Sequence, residues 1–318
     1  MDKPKNKRRI LVLGGTGHYG RHIVRSLLGK GELVRVLSRN ADKARKILGN
    51  NLEIIEGDIT SRESVIKSLK GVKAIIIAVS AFSRKTIRKT RLIERDSVLM
   101  VLEEAQKTGI SRLVYLSAYD LKEDVIEKLN LNQFAETKLE MEAKLSKSDF
   151  NWTILGCATS MEMFFSMIRG NTMMVPGGGF NALPTISPLD VGEITAQTVL
   201  RDDLKGKRFR LTGPESFSFP QAAKRVADVT GRTIKFRKIP LTPIKIASIV
   251  TRPFNPYLKY LLWALILFNN FPPDIAAEVP EDHQLLLETF NYTPITLEME
   301  ARRRSAVSNK SPSKSLGA

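Results

Sequence analysis

The stretch Ile10-Leu11-Val12-Leu13-Gly14-Gly15-Thr16-Gly17-His18-Tyr19-Gly20 runs from an apolar strand into glycines and on into an amphipathic segment, Arg21 to Leu28. Gly14, Gly17 and Gly20 meet three demands: a tight turn off the strand, room for backbone to approach a pyrophosphate, and close packing of helix on strand. Phosphates would meet the N–H groups and positive end of the following helix. Glycine turns also serve purely structural junctions, so context decides. The run lies at the start of the chain, and a second apolar strand, Leu33 to Leu37, follows at βαβ spacing. This predicts a dinucleotide site in which Gly15, Thr16, His18 and Tyr19 join the three glycines as cofactor contacts.

The chain has 318 residues, 42% of them hydrophobic, enough for one large domain or two unequal ones. Cys157 is the single cysteine, which rules out an intramolecular disulfide framework. With no charged-then-apolar leader at its start, the chain is expected to be cytoplasmic. The longest apolar run, Tyr257 to Phe268, contains Lys259 and falls short of the roughly 20 residues a bilayer span needs; it reads as a core helix or an interfacial one.

The net charge of +17 suggests nucleic acid until it is located. Residues 1–9, 84–96 and 301–318 together hold thirteen of the excess charges. Two of these segments read as basic tails, 1–7 and 301–318, the second disordered. In the third, Arg84, Arg88, Arg91 and Arg95 fall at helical spacing beside Lys85 and Lys89. That stripe is either a solvated helix face or a surface for a protein or anionic-membrane partner; nucleic acid binding as the main role is disfavoured.

Apolar runs near 9–13, 33–37, 52–55, 72–78, 112–117 and 152–155 alternate with helix-period stretches near 18–29, 40–48, 61–69, 86–108 and 133–147. That alternation predicts an α/β fold, a Rossmann-type doubly wound parallel sheet over 8–156 with ligands at the carboxyl ends of its strands. A smaller C-terminal α+β domain is expected over 157–186 and 212–300, with 187–211 returning to the sheet. Asp190 and Glu193 have capping-box spacing at the head of a helix ending near Leu200.

The second strand ends Leu37-Ser38-Arg39-Asn40, with Lys43 and Arg45 beyond it. An acid there would accept hydrogen bonds from the adenosine ribose, whereas a guanidinium suits a 2′-phosphate. Ser38, Arg39 and Lys43 therefore predict NADP(H) in preference to NAD(H), against the alternative that they are ordinary surface charges. Asp58, after the third strand, is placed beside the adenine with Ile59, or serves as a turn before Ser61. Ala78, Val79 and Ser80, at the end of the fourth strand, complete the predicted cofactor contacts.

Together these motifs resemble the NmrA-like branch of the short-chain dehydrogenase/reductase superfamily, from about residue 8 to 300. The marks are Gly14-Gly15-Thr16-Gly17-x-x-Gly20, Ser38-Arg39, Gly57-Asp58, Lys107-Thr-Gly-Ile-Ser-Arg-Leu-Val-Tyr-Leu-Ser117, Thr137-Lys138-Leu-Glu140 and Trp152-Thr-Ile-Leu. Farther on come Ser187-Pro-Leu-Asp-Val191, Leu211-Thr-Gly-Pro-Glu215 and Phe290-Asn-Tyr-Thr-Pro-Ile-Thr-Leu297. The resemblance implies a Rossmann domain holding NADP(H) or NAD(H) and a small domain closing a cleft over the nicotinamide. Such proteins are either NAD(P)H-dependent reductases or non-catalytic sensors and assembly factors.

Most short-chain dehydrogenases use a tyrosine to protonate the carbonyl and a lysine four residues on to hold the nicotinamide ribose. The matching pair here is Phe134 and Lys138, and a phenyl ring has no proton to give. Lys138 and Ser117 keep their places beside the nicotinamide, while Tyr119 either replaces the missing acid or simply packs. An Arg-Pro pair usual after the sixth strand is replaced by Gly156-Cys157; Cys157 reads as a reactive thiol or, more simply, a small buried side chain. His18 and His22 sit one helical turn apart with no third ligand, so no metal is predicted.

Met161, Met163, Phe164 and Phe165 stand where the family places its substrate wall and would suit a flat hydrophobic molecule, or else form core. The apolar segments within 244–268 either pack the small domain or, with Lys245, Arg252 and Lys259, meet a membrane surface. The leading expectation is an NADP(H)-binding oxidoreductase that reduces a small hydrophobic carbonyl or quinone by hydride transfer. A non-catalytic NAD(P)(H)-binding redox sensor or assembly factor is the alternative.

Overall fold

A computed structural model describes residues 8–119, 126–127, 132–251 and 254–310, without side chains at 132–134 and 307–310. Seven parallel strands form one sheet: β1 (Arg9–Leu13), β2 (Val34–Ser38), β3 (Glu53–Glu56), β4 (Val72–Ile77), β5 (Arg112–Ala118), β6 (Asn151–Cys157) and β7 (Lys207–Leu211). Their order is β7-β6-β5-β4-β1-β2-β3, with Leu13 opposite both Leu37 and Ile77. The winding reverses between β1 and β4, which opens a crevice at their carboxyl ends. β7 lies beside β6 with Phe209 opposite Leu155, so the chain comes back to the large sheet late in the sequence.

Helices α1 (Gly20–Gly29), α2 (Ala41–Leu48), α3 (Arg62–Leu69), α4 (Ser97–Lys107), α5 (Asn132–Ser146) and α6 (Pro188–Val199) cover both faces. This is why the central strands are apolar throughout rather than alternating. One core gathers Val12, Ile23, Leu27, Ile76, Ile194 and Leu211; the other gathers Leu11, Leu69, Ile75, Val101, Tyr115 and Leu145. α1 lies so close to α6 that a Cβ on Gly192 would sit 2.7 Å from the His22 backbone carbon.

The cap of α6 differs from the sequence reading. Ser187 is the N-cap, its hydroxyl accepting from the Leu189 N–H at 3.2 Å, and Pro188 opens the helix. Asp190 is buried instead, and its carboxylate accepts the Ile295 N–H at 2.9 Å. Serine at the cap with proline after it is an equally strong start signal, and it sits closer to the first helical turn than the Asp190–Glu193 pair.

The smaller unit has two three-stranded sheets, one joining Thr159–Ser160, Leu183–Ile186 and Ser216–Phe217, the other joining Ile168–Arg169, Thr172–Pro176 and Lys235–Ile239. Helices α7 (Phe219–Thr230), α8 (Thr242–Val250) and α9 (Tyr257–Asn269) follow. Helix α10 (Val279–Thr289) puts Val279 and Leu286, with Phe290 after it, into the large-sheet core rather than into the smaller unit where the sequence assigned them.

The expected C-terminal tail is helical over α11 (Leu297–Lys310). Arg303 and Arg304 fold back on the buried Glu300, and Arg304 also reaches Glu162 at 2.8 Å. Arginines that read as a charge run are thus tied to acids three and four residues behind them. Residues 1–7 and 311–318 lie outside the described residues.

Candidate functional site

The turn after β1 is built on glycine. Gly14 takes φ +83°, the Gly17 N–H closes onto the Gly14 carbonyl at 2.8 Å, and a Cβ on Gly20 would lie 2.1 Å from that same oxygen. α1 starts at Gly20 with neither a side-chain cap on Tyr19 nor an acid in its first turn. No side chain of the helix itself caps or neutralises its N-terminal end, which fits a pyrophosphate. Thr16 is half-buried and His18 exposed at this end; His18 Nδ1 lies 3.7 Å from Glu162. Burial lowers the pKa of His18, partly opposed by Glu162.

Arg39 is exposed at the end of β2 and forms no ion pair among the described residues. Lys43 is exposed on α2, its N–H donating to the Asn40 cap at 2.7 Å, while Arg45 turns to Asp42 at 3.1 Å. Ser38 Oγ donates to the Asn40 carbonyl at 3.1 Å. Ser38 and Arg39 stand at the end of β2, with Lys43 on the helix that follows. Asp58 is engaged in its own turn, accepting from the Thr60 N–H and hydroxyl at 2.9 Å each. Ile59 packs against the second core.

A cavity of about 460 Å³ opens where β4, β5 and β6 end. Ala78, Val79, Ser80, Ser117, Lys138 and Tyr19 are among the residues that line it. The Tyr19 hydroxyl donates to the Ala158 carbonyl at 3.1 Å, and burial holds its phenol well above the usual tyrosine range. The Ser117 hydroxyl is buried in the wall with no hydrogen-bond partner among the described residues. Such an orphaned group suits a polar ligand atom.

Lys138 sits beneath this wall. Its Nζ donates to the Leu116 carbonyl at 3.3 Å, lies 3.6 Å from Glu94 Oε2 and stands 5.0 Å from the Tyr115 ring centroid. Burial works to lower its pKa, but Tyr115 and Glu94 outweigh burial and raise it. Glu94 is buried, lines the cavity and accepts the Ala81 N–H at 2.6 Å. The sequence reading missed this carboxylate because it treated 86–108 as one regular helix. The chain instead forms a 3-10 turn at Ile87–Lys89 and a π turn at Leu92–Asp96 before α4. A π turn re-aims side chains relative to helical spacing. It turns Glu94 inward while Arg91 and Arg95 reach Glu136 and Glu140 on α5, so the predicted basic stripe is not one continuous face.

Phe134 falls on α5 one turn before Lys138, and its side chain lies outside the described residues. Tyr119 borders the cavity, yet its hydroxyl is committed to Asp282, and Arg210 lies over its ring at 5.5 Å. It is held as part of the contact between β7 and α10, the packing alternative of its sequence reading. Cys157 also borders the cavity, where burial pushes its thiol up to about 12; a thiol so held is inert at neutral pH.

At Gly156, where an Arg-Pro pair is usual in the resembling family, a Cβ would sit 2.5 Å from the Ala118 carbonyl and 2.9 Å from the Arg208 guanidinium. Arg208 comes from β7 and binds the Ala118 carbonyl at 2.9 Å and Glu142 at 2.8 Å. An arginine is thus supplied there from the neighbouring strand.

The substrate wall is a correction to the sequence reading. Met161 and Phe164 are buried, and Phe164, with Met163 and Phe165 against it, belongs to the small-unit core around Phe217 and Phe219. The apolar roof comes from Tyr260, Ala264, Leu267 and Phe268 on α9, with Phe271 and Ile275 after it. The greasy helix is therefore part of the site. No described helix is long and apolar enough to cross a membrane, and no three His, Cys, Asp or Glu side chains among the described residues gather as a metal set.

A family model described as NAD(P)H-binding matches residues 14–199. Among curated proteins, the chain is similar to a photosystem II assembly factor, Ycf39, of Trieres chinensis, 25% identical over 243 residues that cover 75% of this chain and 74% of that one. Among solved structures it is similar to the Citrobacter sp. triphenylmethane reductase complexed with NADP(H), with TM-score 0.73 and 16% identity over 92% of this chain and 99% of that one. The NADPH-dependent quinone oxidoreductase of Escherichia coli, complexed with NADPH, superimposes with TM-score 0.68 and 14% identity over 93% and 99%.

Proposed function

Because this chain belongs to the NAD(P)H-binding family, we propose that it is an NADPH-dependent oxidoreductase that reduces a small hydrophobic quinone or carbonyl in the cavity beside Lys138. The observation that carries this reading is the composition of that cavity, an apolar roof from α9 over a floor that holds Ser117, Lys138 and Glu94. About 460 Å³ suits one small ligand portion rather than a polymer. When bound, NADPH supplies a hydride from its nicotinamide.

The protein's own groups divide the remaining work. The turn from Gly14 to Gly20 and the N-terminus of α1 hold the pyrophosphate. Arg39, with Lys43 beside it, neutralises a 2′-phosphate, which is the basis for preferring NADP(H). Lys138 and Ser117 hold the nicotinamide half and its ribose. Lys138 stays protonated through its neighbours Tyr115 and Glu94, and its charge favours the anion that develops on an acceptor oxygen.

Phe134 gives no proton, so water or a substrate group must do so. A quinone tolerates this better than a simple ketone, because a hydroquinone anion is a far weaker base than an alkoxide. The α9 roof excludes water from the reacting face. A cytosolic setting accords with a single, unpaired cysteine.

A second reading is a non-catalytic NADP(H)-binding sensor or assembly factor. It is favoured by Phe134 and by similarity to proteins named as photosystem II assembly factors. Following NADPH absorbance with a panel of quinones and aldehydes, alongside NADPH and NADH titrations, separates the two. Oxidation with any hydrophobic quinone supports the enzyme. Tight NADPH binding with no oxidation across the panel supports the sensor.

A further inference from the structure

We propose that the helical tip formed by α8, the turn after it and the start of α9 docks on the surface of an anionic lipid bilayer, with its apolar side chains in the headgroup boundary. On α8, Ile246, Ile249 and Val250 are 57%, 73% and 69% exposed, and Phe254 in the next turn is 85% exposed. The three helical residues are spaced to share one face. Pro240, Pro243 and Ala247 extend that face into an open apolar groove. Four such side chains within nine residues form a patch, unlike the scattered apolar residues of an ordinary surface.

Along the tip's own stretch of sequence the charge has one sign. No Asp or Glu occurs between Val229 and Pro273, a stretch that holds Arg232, Lys235, Arg237, Lys238, Lys245, Arg252 and Lys259. The fold brings a second basic segment to the same place. The Arg88 guanidinium donates to the Phe254 carbonyl at 3.1 Å, Arg84 lies over the Tyr257 ring at 5.8 Å, and Phe82 meets that ring at 5.6 Å. Arg84, Lys85, Arg88 and Lys89 are exposed on that segment, and no acid lies between Ser80 and Ile93 in the sequence, while Arg91 beyond them turns to Glu136 at 3.9 Å.

Protein surfaces pair with mixed charges and specific shapes, whereas a headgroup plane is uniformly anionic. An exposed apolar face bordered by cations is the pattern of an interfacial helix. α8 has nine residues, too few to span a bilayer, so the association is peripheral. The proposal does not depend on catalysis or on which dinucleotide is bound.

The test is flotation of the full-length chain with vesicles of phosphatidylcholine alone and of equimolar phosphatidylcholine and phosphatidylglycerol, at low and high ionic strength. The wild type is expected to float with the anionic vesicles, to bind the neutral ones more than about tenfold more weakly, and to be released by salt. The double variant Ile249→Glu, Phe254→Glu leaves every basic residue intact and should lose anionic-vesicle binding while still binding NADPH. Lys85→Glu with Lys89→Glu should weaken it without touching the apolar face. A wild type that stays in solution with the anionic vesicles at low salt overturns the proposal, as does a double variant that floats like wild type. So does a dimer that this variant converts to monomer in the absence of vesicle binding, since the patch would then serve a second copy.

Discussion

Lys138 and Glu94 face each other across the floor of the cavity, Nζ to Oε2 at 3.6 Å, one from α5 and the other from the π turn before α4. Glu94 helps hold Lys138 protonated against the burial that opposes its charge. Lys138→Met leaves the buried Glu94 carboxylate without its partner, and losing one member of such a pair costs about 3 kcal/mol. Urea unfolding of Lys138→Met, Glu94→Gln and the double variant should show the double variant less destabilised than the sum of the singles, by about 1–2 kcal/mol. Strict additivity would mean the two residues do not interact. Glu94→Gln should also raise KM for NADPH, since Lys138 loses the carboxylate that orients it.

Arg39 stands at the end of β2, free of any ion pair among the described residues. Reversing its charge with Arg39→Asp should weaken NADPH binding by roughly ten- to a hundred-fold, the scale of one charge-assisted contact. NADH binding should change little or improve, because a carboxylate there can take the adenosine ribose. Fluorescence titration with both nucleotides reads this directly. Equal loss for the two would show that Arg39 does not meet a 2′-phosphate.

Much of this architecture is legible in the sequence, because continuous apolar strands and glycine turns leave few alternatives. Val12, Val36 and Ile76 must be buried on both faces, and a Cβ on Gly14 would lie 2.3 Å from the Ala78 carbonyl. What escapes reading depends on tertiary partners. Glu94 looks like one acid in a basic helix until the π turn rotates it inward. Phe164, Met163 and Phe165 have the softness expected of a substrate wall, but packing gives them to the small-unit core and gives the roof to α9. Tyr119 lies one residue past β5, and its hydroxyl meets Asp282, far along the chain.

Asp190 supplies the pH dependence. Burial raises its pKa to about 7, against an ordinary value of 3.8, although the Ile295 N–H opposes the shift. Between those values the folded state holds a proton that the unfolded state releases, so this residue's contribution to stability falls as pH rises and levels off above about 7. Asp190→Asn keeps an oxygen for the Ile295 N–H and carries no charge. The variant should match wild type near pH 4 and exceed it by about 4 kcal/mol at pH 8, measured by urea unfolding. A deficit that is the same at every pH would show that Asp190 does not titrate in this way.

Ala264 on α9 faces the cavity at its roof, so a larger side chain there grows into the space claimed for the substrate and away from the phosphate turn. The decisive measurement is single-turnover oxidation of bound NADPH by a hydrophobic quinone, compared between wild type and Ala264→Trp, with NADPH affinity measured alongside. The wild type should oxidise its NADPH, and Ala264→Trp should do so at least about tenfold more slowly with NADPH affinity retained. No oxidation by any acceptor in a quinone panel, or undiminished oxidation by Ala264→Trp, would contradict hydride transfer in this cavity.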